Sequence, residues 1–482
     1  MLSQFEKDIG GEDFSMQQGK KGKKIFQVWS ILMTVVFSAL LFAACGETAT
    51  PAATSAAAVT TSAAAATTAM AAGTTAMVAT TSAAVATTSA TGATTAAVAG
   101  GSGQTIRIYS SLPDTGSSKT QTDTVINAMR LAIDQQAPDG MVAGFKIDYV
   151  PLDDATAAAG KWDAGQEATN ANKAANDPDA MVYLGTFNSG AAKVSIPIMN
   201  KAGILMISPS NTAIGLTHAA AGVTAPGEPD SYYPSGVRNY FRIVPADDFQ
   251  GPADANFMVT KLKAKNIYVV DDGEDYGTGL AKAFEQSAVK QGAKVLAHDS
   301  ITGKESDYKS LANKIKAAQP DGIFFGGISQ QQGGKLLADI RAAGVKVPFL
   351  GGDGINDDAF LKDSGSAGEG AYSSVGGINP VALPQKGQDF LKAYKAKYGD
   401  TIQAYTAYGY ECMSVALYAI KQAGKKDRSS IIQAVAGIKD FDGVLGKFSF
   451  NKNGDTTQTT HSFYVAKAGQ WVYDSSADAA VS

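Results

Sequence analysis

Two short apolar runs, Met181–Leu184 and Ile204–Ile207, each end abruptly in small hydroxyl and amide residues. The first opens into Gly185-Thr186-Phe187-Asn188-Ser189-Gly190, the second into Ser208-Pro209-Ser210-Asn211-Thr212. A helical stretch, Gly190–Lys201, joins them. Hydroxyls beside the free amides of a helix N-terminus suit an anionic group such as a carboxylate, because those N–H groups lack partners and carry the positive end of the helix dipole. Neither loop offers a nucleophile beside a base or a set of metal ligands, so the chemistry is holding rather than reacting. Nothing elsewhere supplies a catalytic set. His218, His298 and His461 are far apart in the chain, and no G-x-S-x-G elbow, H-E-x-x-H or spaced Cys/His group occurs. The acid pairs Asp153–Asp154, Asp271–Asp272 and Asp357–Asp358 read as solvated residues or helix caps. Asn451–Asp455 imitates half of a calcium loop but lacks its closing glutamate, with His461 or Ser462 falling there, and reads as a hairpin turn. Gly327–Lys335 has the outline of a phosphate loop, yet Leu336 follows the lysine where Ser or Thr is required. No cofactor pattern is present.

The elements around these loops alternate strand and helix. Ile106–Tyr109, Phe145–Val150 and the two runs above are strands, with helices at Gln121–Gln136 and Gly165–Asn176. After a Gly/Pro-rich loop, Gly215–Val237, and strand Tyr240–Val244, a second set runs from helix Ala253–Leu262 to strand Phe349–Gly351. Helices Gln385–Tyr398, Tyr405–Gln422 and Ser429–Ala436 follow, then a terminal hairpin of Gly446–Phe450 and Ser462–Val465. Short buried strands alternating with helices predict an α/β fold with parallel sheets, in which ligands meet the carboxyl ends of the strands. Two such sets predict two Rossmann-like lobes with a cleft between them.

Lys20, Lys21, Lys23 and Lys24 precede the apolar run Ile25–Leu41, which ends in Leu41-Phe42-Ala43-Ala44-Cys45-Gly46. That layout predicts a secretory signal over 1–44. It resembles a bacterial lipoprotein lipobox, which implies that Cys45 carries lipid and anchors the chain to the outer face of the cytoplasmic membrane, on a cell surface or in a periplasm. An uncleaved membrane anchor is the alternative reading, and Met16 is an alternative start. From Thr48 to Gly103 there is no charged residue and almost only Ala, Thr, Ser, Gly and Val, so residues 45–103 are expected to form a tether without a core. As a flexible coil, such a tether would span roughly 40 Å. Without residues 1–44 the chain carries 36 basic and 41 acidic side chains and no basic cluster, which argues against a nucleic-acid partner. With Cys45 lipidated, Cys412 has no disulfide partner and is expected as a small buried hydrophobe.

The segments IYSSLPDTG, GILMISPSNT, RNYFRIVPADDFQGPADANF, VVDDGEDYGTGLAKAF, GIFFGGISQQQGGKLL, FLGGDGINDDAF and TAYGYECMSVAL, in that order, resemble the type I periplasmic binding proteins, in particular the branched-chain amino acid subfamily of ABC transport systems. The resemblance covers about Thr105 to Tyr473. It implies that the chain crosses between the lobes near Arg242–Pro245, Tyr372–Val375 and Phe441–Leu445, a three-strand hinge, with lobe 1 over 104–242 plus 375–441 and lobe 2 over 243–374 plus 442–482. It implies a small amino acid or amide ligand, ABC permease subunits as partners and no enzymatic activity. It implies that Ser189 holds the ligand's carboxylate, that Ser210 and Thr212 contact both its carboxylate and its ammonium, that Tyr276 closes over its main-chain end, and that Asp353 pairs with its ammonium. Asp353 stands where branched-chain binders carry glutamate, Ile328-Ser329 where they carry an aromatic pair, and Gln121 where they carry a side-chain-pocket aromatic. A disulfide of the family is absent, with Thr156 and Asn188 at its positions. Side-chain specificity therefore stays open among aliphatic and polar amino acids, amides and urea-like solutes. A receptor of the same fold that senses without transporting, or an enzyme on this scaffold, are the alternatives in function. Local alternatives also stand: Ser208–Thr212 as a helix cap, Asp353 as a turn residue, and Tyr276 as part of an ordinary loop.

Overall fold

The computed structural model describes residues 103–478. The expected signal segment, Cys45 and all of the expected tether except Gly103 lie outside the described residues. The chain opens with β1 (Thr105–Leu112), α1 (Lys119–Gln136), β2 (Met141–Val142), β3 (Phe145–Asp153), α2 (Ala164–Ala175), β4 (Ala180–Gly185), α3 (Ser189–Ala202), β5 (Leu205–Ser208) and β6 (Tyr240–Arg242). These strands form one sheet in the order β2-β3-β1-β4-β5-β6, parallel except for the β2–β3 edge pair. Every residue of β4 and β5 is buried. That explains their continuous apolar runs, since a parallel sheet is covered by helices on both faces.

The second sheet begins after α4 (Asp247–Asn256) and takes β7 (Asn266–Asp271), α5 (Asp275–Lys290), β8 (Lys294–Ser300), α6 (Lys309–Ala318), β9 (Gly322–Gly326), α7 (Gly333–Ala342), β10 (Phe349–Gly351), α8 (Asp358–Ser364) and β11 (Tyr372–Gly376). The chain then returns to the first lobe for α9 (Gln385–Tyr398), α10 (Thr406–Ala423), α11 (Arg428–Ala436) and the hairpin β12 (Phe441–Gly443) and β13 (Gly446–Phe448). It ends with β14 (Thr460–Lys467) and β15 (Gln470–Asp478). The second sheet has the order β15-β14-β11-β10-β9-β7-β8, with the last two strands added antiparallel. The fold is thus α/β with two largely parallel sheets, as the strand–helix alternation implies.

Three expectations are corrected. The first is the terminal hairpin: Gly446–Phe448 pairs with Phe441–Gly443, while the strand from Thr460 pairs with β11 and β15. The second is the third crossing. Phe448 and Phe450 pack in the first lobe's core, Phe450 edge-on to Phe241 with ring centroids 5.1 Å apart, so the chain leaves that lobe after Phe450 rather than at Phe441–Leu445. The third is α4, which begins at Asp247 rather than after Pro252. Asp247 and Asp248 lie in its first turn, where the helix dipole favours acids, and Pro252 sits inside the helix, which forgoes the bond its missing N–H would make to Asp248 O. Cys412 is fully buried within α10, with no cysteine partner among the described residues.

Candidate functional site

The carboxyl ends of β4 and β5 carry the two hydroxyl-rich loops to the same place. Ser208 accepts hydrogen bonds from Ser210 N (3.1 Å) and Asn211 N (2.9 Å) and donates to Thr186 O (2.9 Å). Ser210 Oγ and Asn211 Nδ2 both donate to Phe187 O at 2.9 Å. These bonds lock one loop to the other. The first turn of α3 follows Asn188, which is extended and makes no side-chain cap, so the amides at Ser189 and Gly190 lack an Asn188 cap. Gly190 is required here by packing: a Cβ would stand 2.7 Å from Trp162 Cζ2. Trp162 therefore lies directly against the helix N-terminus.

The opposite wall comes from the second lobe. Tyr276 lies in the first turn of α5, and Gly277 beside it lets that turn press on the sheet, since a Cβ there would stand 2.4 Å from Gly326 O. Asp272, buried at the end of β7, accepts from Glu274 N (3.0 Å) and Ile328 N (2.9 Å), tying the α5 loop to the loop after β9. Burial pushes the Asp272 carboxyl up to about 7, against those two backbone bonds. Asp353, just beyond β10, is 5% exposed. Its Oδ1 accepts from Tyr276 OH at 2.9 Å and its Oδ2 from Tyr405 OH. Burial raises the Asp353 carboxyl above its ordinary range, and the two phenol bonds oppose that rise. The same burial, with the Asp353 charge beside them, pushes both phenols well above theirs.

Six of the seven residues singled out in the sequence line one cavity of about 30 Å³: Gln121, Ser189, Ser210, Tyr276, Ile328 and Asp353. Thr212 is not among them. It is 1% exposed and faces the start of α4, its carbonyl accepting from Asp247 N at 2.9 Å. Phe187, Asn188 and Gly190 of the same loop also line the cavity, as do Tyr405, Glu274 and Gln330, which no sequence pattern singles out. Tyr405 reaches Asp353 from 52 positions away, and no local pattern marks such a meeting.

Ion pairs bridge the two walls. Lys161 meets Glu274 at 2.6 Å, and Lys193 meets Asp275 at 2.6 Å, each joining the first lobe to the α5 loop. Behind the site, Arg242 (0% exposed) pairs with Asp455 (5%) at 2.6 Å. Arg242 also donates to Asn211 O (3.3 Å) and Ala213 O (2.8 Å), the carbonyls flanking Thr212. The Asn451–Asp455 segment is thus a turn closed by Gly454 N to Asn451 O, and its aspartate serves the buried guanidinium. The acid pairs also depart from the solvated reading. Asp154, Asp271, Asp272 and Asp357 are buried, and only Asp357 caps a helix, accepting from Phe360 N. No group of three or more His, Cys, Asp or Glu among the described residues could hold a metal ion.

The site is a closed cleft with an anion-friendly helix end on one side and a carboxylate framed by two phenols on the other. Residues 105–472 match the profile of a family described as periplasmic binding protein, and the chain belongs to that family. A leucine-, isoleucine-, valine-, threonine- and alanine-binding protein of Pseudomonas aeruginosa is 28% identical over 353 residues, covering 73% of this chain and 87% of its own. Among solved structures, a leucine-binding protein of Thermotoga maritima superposes with a TM-score of 0.69 at 23% identity, over 77% of this chain and 99% of its own. A branched-chain amino acid transporter substrate-binding protein of Streptococcus pneumoniae, solved with isoleucine, gives a TM-score of 0.65 at 25% identity, over 77% and 100%.

Proposed function

We propose that this chain is the solute receptor of an ABC importer and binds an α-amino acid or a related small amide in the cleft between its lobes. The observation that carries the reading is the convergence on one cavity of Ser189, Gly190 and Ser210 from one lobe with Tyr276 and Asp353 from the other. The α3 amides and the Ser189 hydroxyl suit a carboxylate, while Ser210, donating to Phe187 O, holds the neighbouring loop in place beside them. The buried Asp353 carboxylate suits an ammonium through charge-assisted hydrogen bonds. A ligand with both groups bridges the lobes and favours the closed state by its differential contacts with both. The relatives' amino-acid ligands support the same class.

In this reading Cys45 carries the lipid anchor, the chain lies on the outer face of the cytoplasmic membrane, and permease subunits recognise its closed form. The chain itself performs no chemistry. Thr212 acts at one remove, by fixing the loop that carries Ser210. Titration calorimetry of the full chain against a panel of amino acids, short amides and sugars tests the reading. At least one amino acid or amide should bind, and Asp353→Ala should abolish amino-acid binding while leaving the unfolding transition in place. Binding of sugars alone, or unchanged affinity in Asp353→Ala, would overturn it.

A further inference from the structure

We propose, resting on the amino-acid reading above, that the remainder of the cleft selects side chains bearing a hydroxyl or carboxamide over branched aliphatic ones. Once the residues assigned to carboxylate and ammonium are set aside, three carboxamides face the cavity. Gln121, from the first turn of α1, is 6% exposed, and its amide makes no hydrogen bond with another described residue. Asn188 has its Oδ1 shielded from solvent and without a donor. Gln330, partly exposed, approaches from the second lobe, its amide likewise unbonded among the described residues. The one aliphatic side chain lining the cavity is Ile328.

A buried polar group without a partner is costly, and a ligand that supplies one recovers that cost. An isosteric ligand with a methyl in place of the hydroxyl leaves the amides unpaired. Sites built around such hydrogen bonds therefore reject the apolar analogue strongly, whereas a purely apolar pocket discriminates weakly between isosteres. Charge at this end is already balanced. Glu274 is paired with Lys161 at 2.6 Å and accepts from Gln331, so the cleft does not call for a basic side chain, and the carboxylate repels an acidic one.

L-Threonine and L-valine differ by a hydroxyl in place of a methyl and are the decisive pair. Titration of the full chain should give threonine at least roughly tenfold tighter binding than valine. The double variant Gln121→Leu/Gln330→Leu should erase or invert that ratio. Valine binding as tightly as threonine, or more tightly, to the unaltered chain would overturn this proposal and leave the amino-acid reading standing. Binding of no amino acid at all would overturn both. The wild-type ratio decides the matter even if the double variant fails to fold.

Discussion

Asp455→Asn removes a charge and almost no volume, and its consequence can be worked from the surroundings of Arg242. The guanidinium is wholly buried, and its nearest carboxylate is Asp455 at 2.6 Å. Stripping one partner from a buried ion pair costs about 3–5 kcal/mol, because the remaining charge stays desolvated and uncompensated. Arg242 keeps three further acceptors, Asn211 O, Ala213 O and Thr217 Oγ1, so the lower end applies, about 3 kcal/mol. Replacing both partners with apolar residues of similar size, Arg242→Met with Asp455→Leu, should restore most of that loss. Equilibrium urea denaturation of the full chain reads both values as shifts in midpoint at constant slope. Two of the acceptors flank Thr212, so the single variant should also loosen the loop carrying Ser210 and weaken ligand binding. A destabilisation below about 1 kcal/mol for Asp455→Asn would refute the reasoning, since that is the range of a solvated pair.

Other outcomes follow from the same geometry. Gly190→Ala forces Trp162 off the α3 terminus, where the new Cβ would be 2.7 Å from its ring, and should weaken ligand binding by roughly tenfold, about 1.4 kcal/mol by calorimetry; unchanged affinity would remove Trp162 from the account. His218 is held by Asp248 and then Asp455, and His298 by Asp271 and then Glu285; these carboxylates push both imidazoles up to about 9 from an ordinary 6.5. A raised folded-state value means that their added stability is whole below about pH 6.5 and is lost as pH rises through about 9. The melting-temperature difference between wild type and His218→Asn/His298→Asn should shrink over that window, and a constant difference would contradict the assignment.

The parts of the site that are legible in the sequence are those built from local chain. Short apolar runs ending in hydroxyls mark strand ends, and Asp-Tyr-Gly before a helix marks its first turn. Six of seven proposed contacts therefore reach one cavity. Thr212 fails because adjacent positions of a tight loop face different ways: Ser210 turns toward Phe187 O, while Thr212 is drawn to the start of α4. Tyr405 was invisible because it meets Asp353 only after the chain has crossed back to the first lobe. The buried acids were misjudged for a related reason. Asp271 is satisfied by His298 and Ser300, partners on β8, and Asp272 by the amide of Ile328 on another loop. The third crossing is set by core packing rather than by any local pattern, since Phe450 meets Phe241, some two hundred residues away.

The central claim is that the cleft recognises two opposite charges at once, and deletion of either charge from the ligand tests it most directly. The tightest amino acid found for the full chain should be titrated beside its α-hydroxy acid, which lacks the ammonium, and its decarboxylated amine. The account predicts that both analogues lose at least about 2 kcal/mol, a buried charge pair broken from one side or the other. An analogue that binds as tightly as the parent amino acid would contradict the role given to Asp353, if it is the hydroxy acid, or to Ser189 and the α3 terminus, if it is the amine.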